Sequence, residues 1–457
     1  MRSLTDFCIG KSGIKWNSFP PFFILLIILF ISCTSRPEPY SILEFTGKGM
    51  IYNYSRFLFP IMYESDSLNS TALLAFNGDI IAYGDKSCFY YRVPSGNKFS
   101  IKTINNAGFI NDKINSICIP GNDDMIPWFE KMKTTDISDL DFLYFDSIVS
   151  ESYIPYLTDL AKTKPHIGLG CEGSLKDMTR LFEIFKPRFL VGADLSLEDF
   201  NLLSGLTTLE FLSASLNDSV YTTPLPAMPE LKQLILSDLK EDAIKPDDFL
   251  INNKQIERLT IMGSGKFNLL MLKPLKSLKE LIIDGYDTIV NYDLILDHKR
   301  LELLSVAGEK SGSHVILKEL SGIRWMTFNK EATQDGFNSF LESHPDLEVV
   351  TIINNDTIRN LKPLLNLKRL YGLTVADSLT DFAAIKSLKS LKYLSLPYDL
   401  LNDSIIKADL QKSLPGTVIV ANQGVCLGSG WLLLIIPLIL AFRFFTLHKS
   451  HKVHGRF

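Results

Sequence analysis

The chain has 457 residues, 46% of them hydrophobic, with 47 Lys and Arg against 51 Asp and Glu for a formal net charge of -4. That apolar content excludes a disordered chain and leaves room for two or three ordinary domains or one extended repeat domain. No basic excess is available to neutralise a phosphate backbone, so nucleic acid is excluded as an expected partner.

Residues 1–33 carry Arg2, Lys11 and Lys15, then an uncharged apolar run from Phe22 to Ile31, then Ser32 and Cys33. This is the three-part layout of a secretory signal, and the run is too short for a membrane span, which needs about 20 residues. The junction LFISC resembles the lipobox of bacterial lipoproteins, whose mature chain begins at a lipid-modified cysteine. The resemblance makes Cys33 the lipidation site, although Phe30 stands where that family usually has leucine.

Residues 34–112 are rich in tyrosine and phenylalanine and read as a small β-rich cap. In TALLAFNGDIIAYG, Asn77-Gly78 between two apolar runs is the signal for a two-residue hairpin turn. CFYYRVP, after Asp85, Lys86 and Ser87, supplies a third antiparallel strand. A stack of repeats leaves an open core end and an unpaired edge at its first strand, so a cap is required there on physical grounds.

From residue 113 to 421 one pattern, L-x-x-L-x-L, recurs. Its clearest copies are LEFLSA at Leu209, LKQLIL at Leu231, LKELII at Leu278, LEVVTI at Leu347 and LKYLSL at Leu391. Weaker copies start at Ile114, Leu140, Pro165, Pro187, Ile256, Leu301, Ile323, Leu370 and Leu414, giving fourteen turns in all. This pattern resembles the leucine-rich-repeat family in its compact bacterial forms. The expected fold is α/β: a leucine-rich-repeat solenoid with a curved parallel sheet and short helical or 3-10 returns. Each copy places apolar residues at its first, fourth and sixth positions, too few to bury alone, so neighbours must stack into one core. A second apolar spacing, such as Leu272, Leu275, Leu278 or Ile385, Leu388, Leu391, suits the returns. The resemblance also implies a loop-bonding asparagine three residues past the strand core, present here only as Asn122, Asn217 and Asn355.

The second motif position reads Arg188, Glu210, Lys232, Glu257, Lys279, Glu302, Arg324, Glu348 in successive strands. Alternating sign across strands about 4.8 Å apart reads as a register-fixing ladder rather than as acid-base chemistry. The third and fifth positions point to the concave face. Phe142, Tyr144, Ile167, Leu169, Phe189, Val191 and Phe211 make its first half apolar; Gln233, Arg258, Thr260, Glu280, Ser305, Thr327 and Thr351 make the rest mixed, punctuated by Trp325 and Tyr393. An apolar patch of this size either marks a contact surface or is covered by the chain's own N-terminal segment.

Beyond the repeats, Gly424 to Phe442 is free of charge over nineteen residues, just long enough to cross a bilayer, and Arg443, Lys449, Lys452 and Arg456 follow. Positive charge holds that tail in the cytoplasm and the repeats outside it. The order CLGSG, apolar helix, basic tail resembles the C-terminal sorting signals of bacterial surface proteins, of the cysteine-containing myxobacterial kind. The resemblance makes Cys426 a processing site; without processing the helix is a permanent anchor.

No phosphate loop, G-x-S-x-G, H-E-x-x-H or C-x-x-C occurs, so no cofactor, metal or catalytic residue is expected. Asn122-Asp123-Asp124 lacks the ligand spacing of a calcium loop, and His448, His451 and His454 extend a basic tail. Cys118 and Cys171 fall two strands apart, about 9 to 10 Å, beyond what a disulfide tolerates. The expected function is non-enzymatic recognition at the envelope or cell surface, by an exported chain attached to a membrane through its termini (residues 422–457 and Cys33). The partner is a protein or a glycan, bound through Phe142, Tyr144, Phe189, Phe211, Trp325 and Tyr393, because rigid aromatic surface carries most interface energy. The alternative is a spacer or scaffold whose β-rich cap is the binding module.

Overall fold

A computed structural model describes residues 71–422, apart from 77–78, 85–89, 94–100, 105, 111, 121–124, 146–147, 217–222, 241–247, 311–313, 354, 376–380 and 392. The signal region, Cys33, residues 34–70, Asn122, Asn217, Cys426 and the apolar stretch from Gly424 lie outside the described residues. Among those described, no helix is long and apolar enough to cross a membrane.

Three strands, β1 (Thr71–Phe76), β2 (Asp79–Gly84) and β3 (Tyr90–Val93), form a small antiparallel sheet. Phe76 lies opposite Asp79, which leaves Asn77 and Gly78 as the two-residue connection that their sequence signals. β4 (Ile101–Ile104) and β5 (Ala107–Ile110) then pair antiparallel and lead into β6 (Lys113–Ile119). With β6 the sheet turns parallel and runs on in chain order.

Its next members are β7 (Phe142–Phe145), β8 (Gly168–Ser174), β9 (Phe189–Leu195), β10 (Phe211–Leu216), β11 (Gln233–Lys240) and β12 (Arg258–Ser264). A short β13 (Lys266–Asn268) pairs with the far half of β14 (Glu280–Val290). β15 (Leu303–Lys310), β16 (Trp325–Phe328), β17 (Val349–Ile352), β18 (Gly372–Val375), β19 (Tyr393–Pro397) and β20 (Val418–Asn422) complete it. This is the expected leucine-rich-repeat solenoid.

The pairing fixes the register. Third-position residues stand opposite one another: Ser116 against Phe142, Phe211 against Gln233, Trp325 against Val349. The expected motif starts hold everywhere except β8 and β20. In β8, Gly168 pairs with Phe142, so the copy starts at His166 instead of Pro165. In β20, Val418 pairs with Tyr393, which moves the start from Leu414 to Gly416. Ile167 and Leu169 therefore face the core, not the open face, and both belong to its main apolar cluster.

First, fourth and sixth positions, such as Leu347, Val350 and Ile352, are buried in that cluster with the apolar residues of the returns. Ten-residue helices at Ile154–Thr163, Gln334–Ser343 and Ser404–Ser413 fill some returns, and 3-10 turns such as Leu269–Leu272 and Lys362–Asn366 fill others. Thr333, Asp381 and Asp403 cap helices with their side-chain oxygens, accepting from the backbone N–H groups of Gly336, Ala384, and Ile405 and Ile406.

The second-position ladder forms. Arg188 donates through Nε and Nη2 to both Glu210 carboxylate oxygens at 2.6 and 2.8 Å, Lys279 reaches Glu257 at 2.5 Å, and Arg324 stands between Glu302 and Glu348. Glu257→Lys sets a cation between Lys232 and Lys279. It is expected to lower stability by about 1 kcal/mol at low salt, with much of the loss recovered in 1 M NaCl, measured by urea unfolding.

Asn355 makes the expected loop bonds. Its Nδ2 donates to Asn329 O at 2.5 Å and Ala332 O at 2.7 Å, and its Oδ1 accepts from the N–H of Thr357 at 3.0 Å and Ile358 at 2.8 Å. Asn253, fully buried, does similar work on the backbone of Pro226 and Met228. Asn355→Ala is expected to cost about 1–3 kcal/mol in chemical unfolding, since the N–H groups of Thr357 and Ile358 lose their acceptor while the Asn329 and Ala332 carbonyls keep their other donors.

Candidate functional site

The face of the sheet turned away from the returns carries the third and fifth motif positions. On β7, β9 and β10 it holds Phe142, Phe189 and Phe211 in a row, with ring centroids 5.7 and 6.3 Å apart. The row is possible because β8 contributes Gly168 and Gly170. A Cβ at Gly168 would sit 2.4 Å from the Phe142 ring, and one at Gly170 would sit 2.4 Å from the Tyr144 ring. Val191, Ile235 and the partly buried Met262 join the three phenylalanines in a cluster separate from the main core.

A second such cluster gathers Ile282, Leu303, Trp325 and Val349, with Tyr371 against it. Between the two lies a polar seam on consecutive third positions: Gln233 of β11, Arg258 of β12 and Glu280 of β14, paired in register. Arg258 Nε meets a Glu280 carboxylate oxygen at 2.9 Å, and the side chains are only 14% and 11% exposed. Burial pushes the Glu280 carboxyl up to about 7, against the opposing pull of Arg258. Gln233 Oε1 and Arg258 Nη1 are buried and have no hydrogen-bond partner among the described residues. A lane of small hydroxyls runs alongside at the fifth positions, where Thr327 Oγ1 donates to Ser305 Oγ at 2.9 Å.

The expected exposed patch is not what the structure has. Phe142, Tyr144, Phe189, Phe211 and Trp325 are each less than a tenth exposed, Phe211 completely buried; the Tyr393 side chain lies outside the described residues. Arg258 and Glu280 are legible in the sequence only as part of a mixed row; opposite charges at one motif position in adjacent repeats were the signal for a buried pair.

Among the described residues no group of three or more His, Cys, Asp or Glu side chains could hold a metal. Cys118 and Cys171 are buried, and burial pushes the Cys171 thiol up to about 12, which leaves it protonated and unreactive at neutral pH. A hollow of about 270 Å³ on the return side is lined by Asn338, Leu341, Glu342, Asn360, Lys362, Pro363 and Asn366, with no nucleophile paired to a base.

No family model matches the chain, and no curated protein matches it in sequence. Among solved structures, a leucine-rich-repeat protein of Leptospira interrogans is 14% identical, with 62% of this chain and 90% of that one covered at a TM-score of 0.38. An internalin of Listeria monocytogenes is 14% identical, with 67% and 79% covered at 0.32. A second internalin of that organism is 20% identical, with 48% and 83% covered at 0.27. The fold assignment stands on the registered strands themselves.

Proposed function

We propose that the chain is a non-enzymatic recognition protein, exported and held at the cell envelope, whose leucine-rich-repeat solenoid binds a protein segment on the open face of its sheet. The observation that carries this is the pair of apolar clusters on that face, separate from the core and divided by a polar seam. Side chains that contribute nothing to the stacking core, yet are buried, belong to a surface built to have something laid on it. The mixture of rigid aromatic anchors and a few buried polar atoms suits a polypeptide better than a glycan, which needs more hydrogen-bonding groups than this face offers.

Envelope attachment rests on sequence: Cys33 as lipid site, and the apolar stretch before Arg443 as an anchor or as a sorting signal cut at Cys426. Two measurements test the reading. Mass spectrometry of the terminal peptides from native membrane, with acyl modification allowed at Cys33 and Cys426, should find a modified Cys33 and either loss or retention of the apolar helix. An unmodified, cytosolic chain beginning at Met1 would sink the localisation. Photo-crosslinking from Met262 in intact cells should then trap a discrete protein, and the adduct should disappear with Phe189→Ala/Trp325→Ala. An adduct indifferent to both changes would sink the open face as the contact surface.

A further inference from the structure

The hollow on the return side lies between the helix Gln334–Ser343 and the 3-10 turn Lys362–Asn366 of the next repeat. A 3-10 turn is slimmer than an α-helix, so the two do not pack flush along their length. Asn338, Leu341 and Glu342, at i, i+3 and i+4, line the hollow from one side of the helix. Lys362, Pro363 and Asn366 line it from the turn, with Asn360 just ahead of them.

Hydrogen bonds hold the two walls in place. Gln334 Oε1 accepts from the N–H groups of Arg359 and Asn360, both at 2.9 Å, and its Nε2 donates to Asn360 O at 3.1 Å and to Asn338 Oδ1 at 2.9 Å. Asn360 Oδ1 in turn accepts from the N–H of Lys362 at 3.0 Å. The clamp occupies Asn338 Oδ1, which fixes that carboxamide and leaves its Nδ2 as the donor offered to a ligand. The side chains of Glu342, Lys362 and Asn366 have no hydrogen-bond or ion-pair partner among the described residues, although the first two carry opposite charges on the two walls.

This lining discriminates between ligands. An anion is opposed by Glu342 and a cation by Lys362, so a charge of either sign meets repulsion from one wall. A hydroxyl both donates and accepts, which matches an ammonium that only donates, a carboxylate that only accepts and carboxamides that do both. Leu341, 3% exposed, and Pro363 add apolar surface for a carbon skeleton. Several hydroxyls on a compact carbon ring describe a sugar. The hollow's volume of about 270 Å³ is close to the lower end for small-molecule sites, about 300 Å³, and suits a single sugar residue.

We propose that this hollow binds one neutral sugar residue, with Asn338, Glu342, Lys362 and Asn366 on its hydroxyls and Leu341 and Pro363 against its ring. The site is independent of the open face, since it lies on the other side of the sheet.

The test uses the full chain in a detergent without a sugar head group. Saturation-transfer NMR is run on a panel of methyl glycosides, and on glycine and glutamate, each at about 5 mM. Transfer to at least one glycoside is expected, with affinity lowered about five-fold or more by Asn338→Leu and by Asn366→Leu. Gln411→Ala, on a distant helix, should leave binding as in the parent. Urea unfolding checks that each variant folds, and Glu342→Gln, a change at an exposed position, serves as a third lining variant should either leucine variant fail. No transfer to any glycoside, transfer indifferent to the lining variants, or transfer to the amino acids in place of the glycosides would overturn the proposal.

Discussion

Gly263→Ala is expected to be the most damaging single methyl group in the array. A Cβ there would lie 1.9 Å from the carbonyl oxygen of Leu239 and 2.4 Å from the Tyr286 hydroxyl. Through that gap the Tyr286 hydroxyl crosses a whole strand to donate to Leu239 O at 3.0 Å, with its ring against Phe267 at 5.0 Å between centroids. The added methyl must displace backbone, not the end of a flexible side chain, and it breaks a buried hydrogen bond, for a combined loss of about 3 kcal/mol or more. A repeat stack is stabilised by nearest-neighbour interfaces, so weakening one of them should divide a single unfolding transition into two. Thermal unfolding followed by circular dichroism checks this. Gly416→Ala, where nothing lies within 4 Å of the new Cβ, is the control and should melt as the parent does. A parent-like curve for Gly263→Ala would mean that the Tyr286 bridge is not formed.

Arg258→Met should cost about 3–5 kcal/mol at pH 8, because it leaves the Glu280 carboxylate buried without its counter-charge. The pH dependence has a definite sign. Burial raises the Glu280 carboxyl in the folded chain above its ordinary value, to about 7. The folded state therefore keeps this proton when the unfolded state has lost it. Its stabilising contribution is complete below the ordinary carboxylate range and is lost as pH rises toward 7. Arg258→Met strengthens that trend, so the variant should approach the parent at pH 5 and fall away above pH 7. Replacing both partners, Arg258→Met/Glu280→Leu, should bring stability back to within about 1 kcal/mol of the parent. Urea unfolding at pH 5, 6, 7 and 8 measures all three. Equal instability of the single and double variants at every pH would show that the pair is not a buried ion pair.

The repeat was legible because the solenoid enforces it: a residue such as Leu281 or Leu304 at the fourth position has nowhere to go but the core, so its spacing survives in the sequence. Register was lost at two strands, and in both glycine is the reason. β8 gives its outward positions to Gly168 and Gly170 so that the rings of Phe142 and Tyr144 can lie over them, which removes the side chains that mark the outward face. Ile167 and Leu169 then look like face residues although they are core. β20 has Gly416 where an apolar first position is expected, and the pattern slides back to Leu414, a buried residue just past the preceding helix.

The charge ladder was legible because strand spacing converts a one-dimensional alternation into contacts. The seam was legible only as opposite charges at one motif position of adjacent repeats, and its burial was not, since the strand pattern does not separate a buried pair from a solvated one. Glu280 and Glu302 look alike as repeat charges, yet one is buried against Arg258 and the other is a half-buried rung beside Arg324.

Whether the open-face clusters serve an occupant or the array itself is decided most directly by hydrogen exchange of the full chain, comparing the parent with Phe189→Ala/Phe211→Ala. The expected result is that amides of β9, β10 and β11 keep their protection, because their inward residues Leu190, Leu212 and Leu234 still pack in the core. Loss of protection across β9 to β11 would contradict this, and would make the phenylalanine row a structural part of the solenoid.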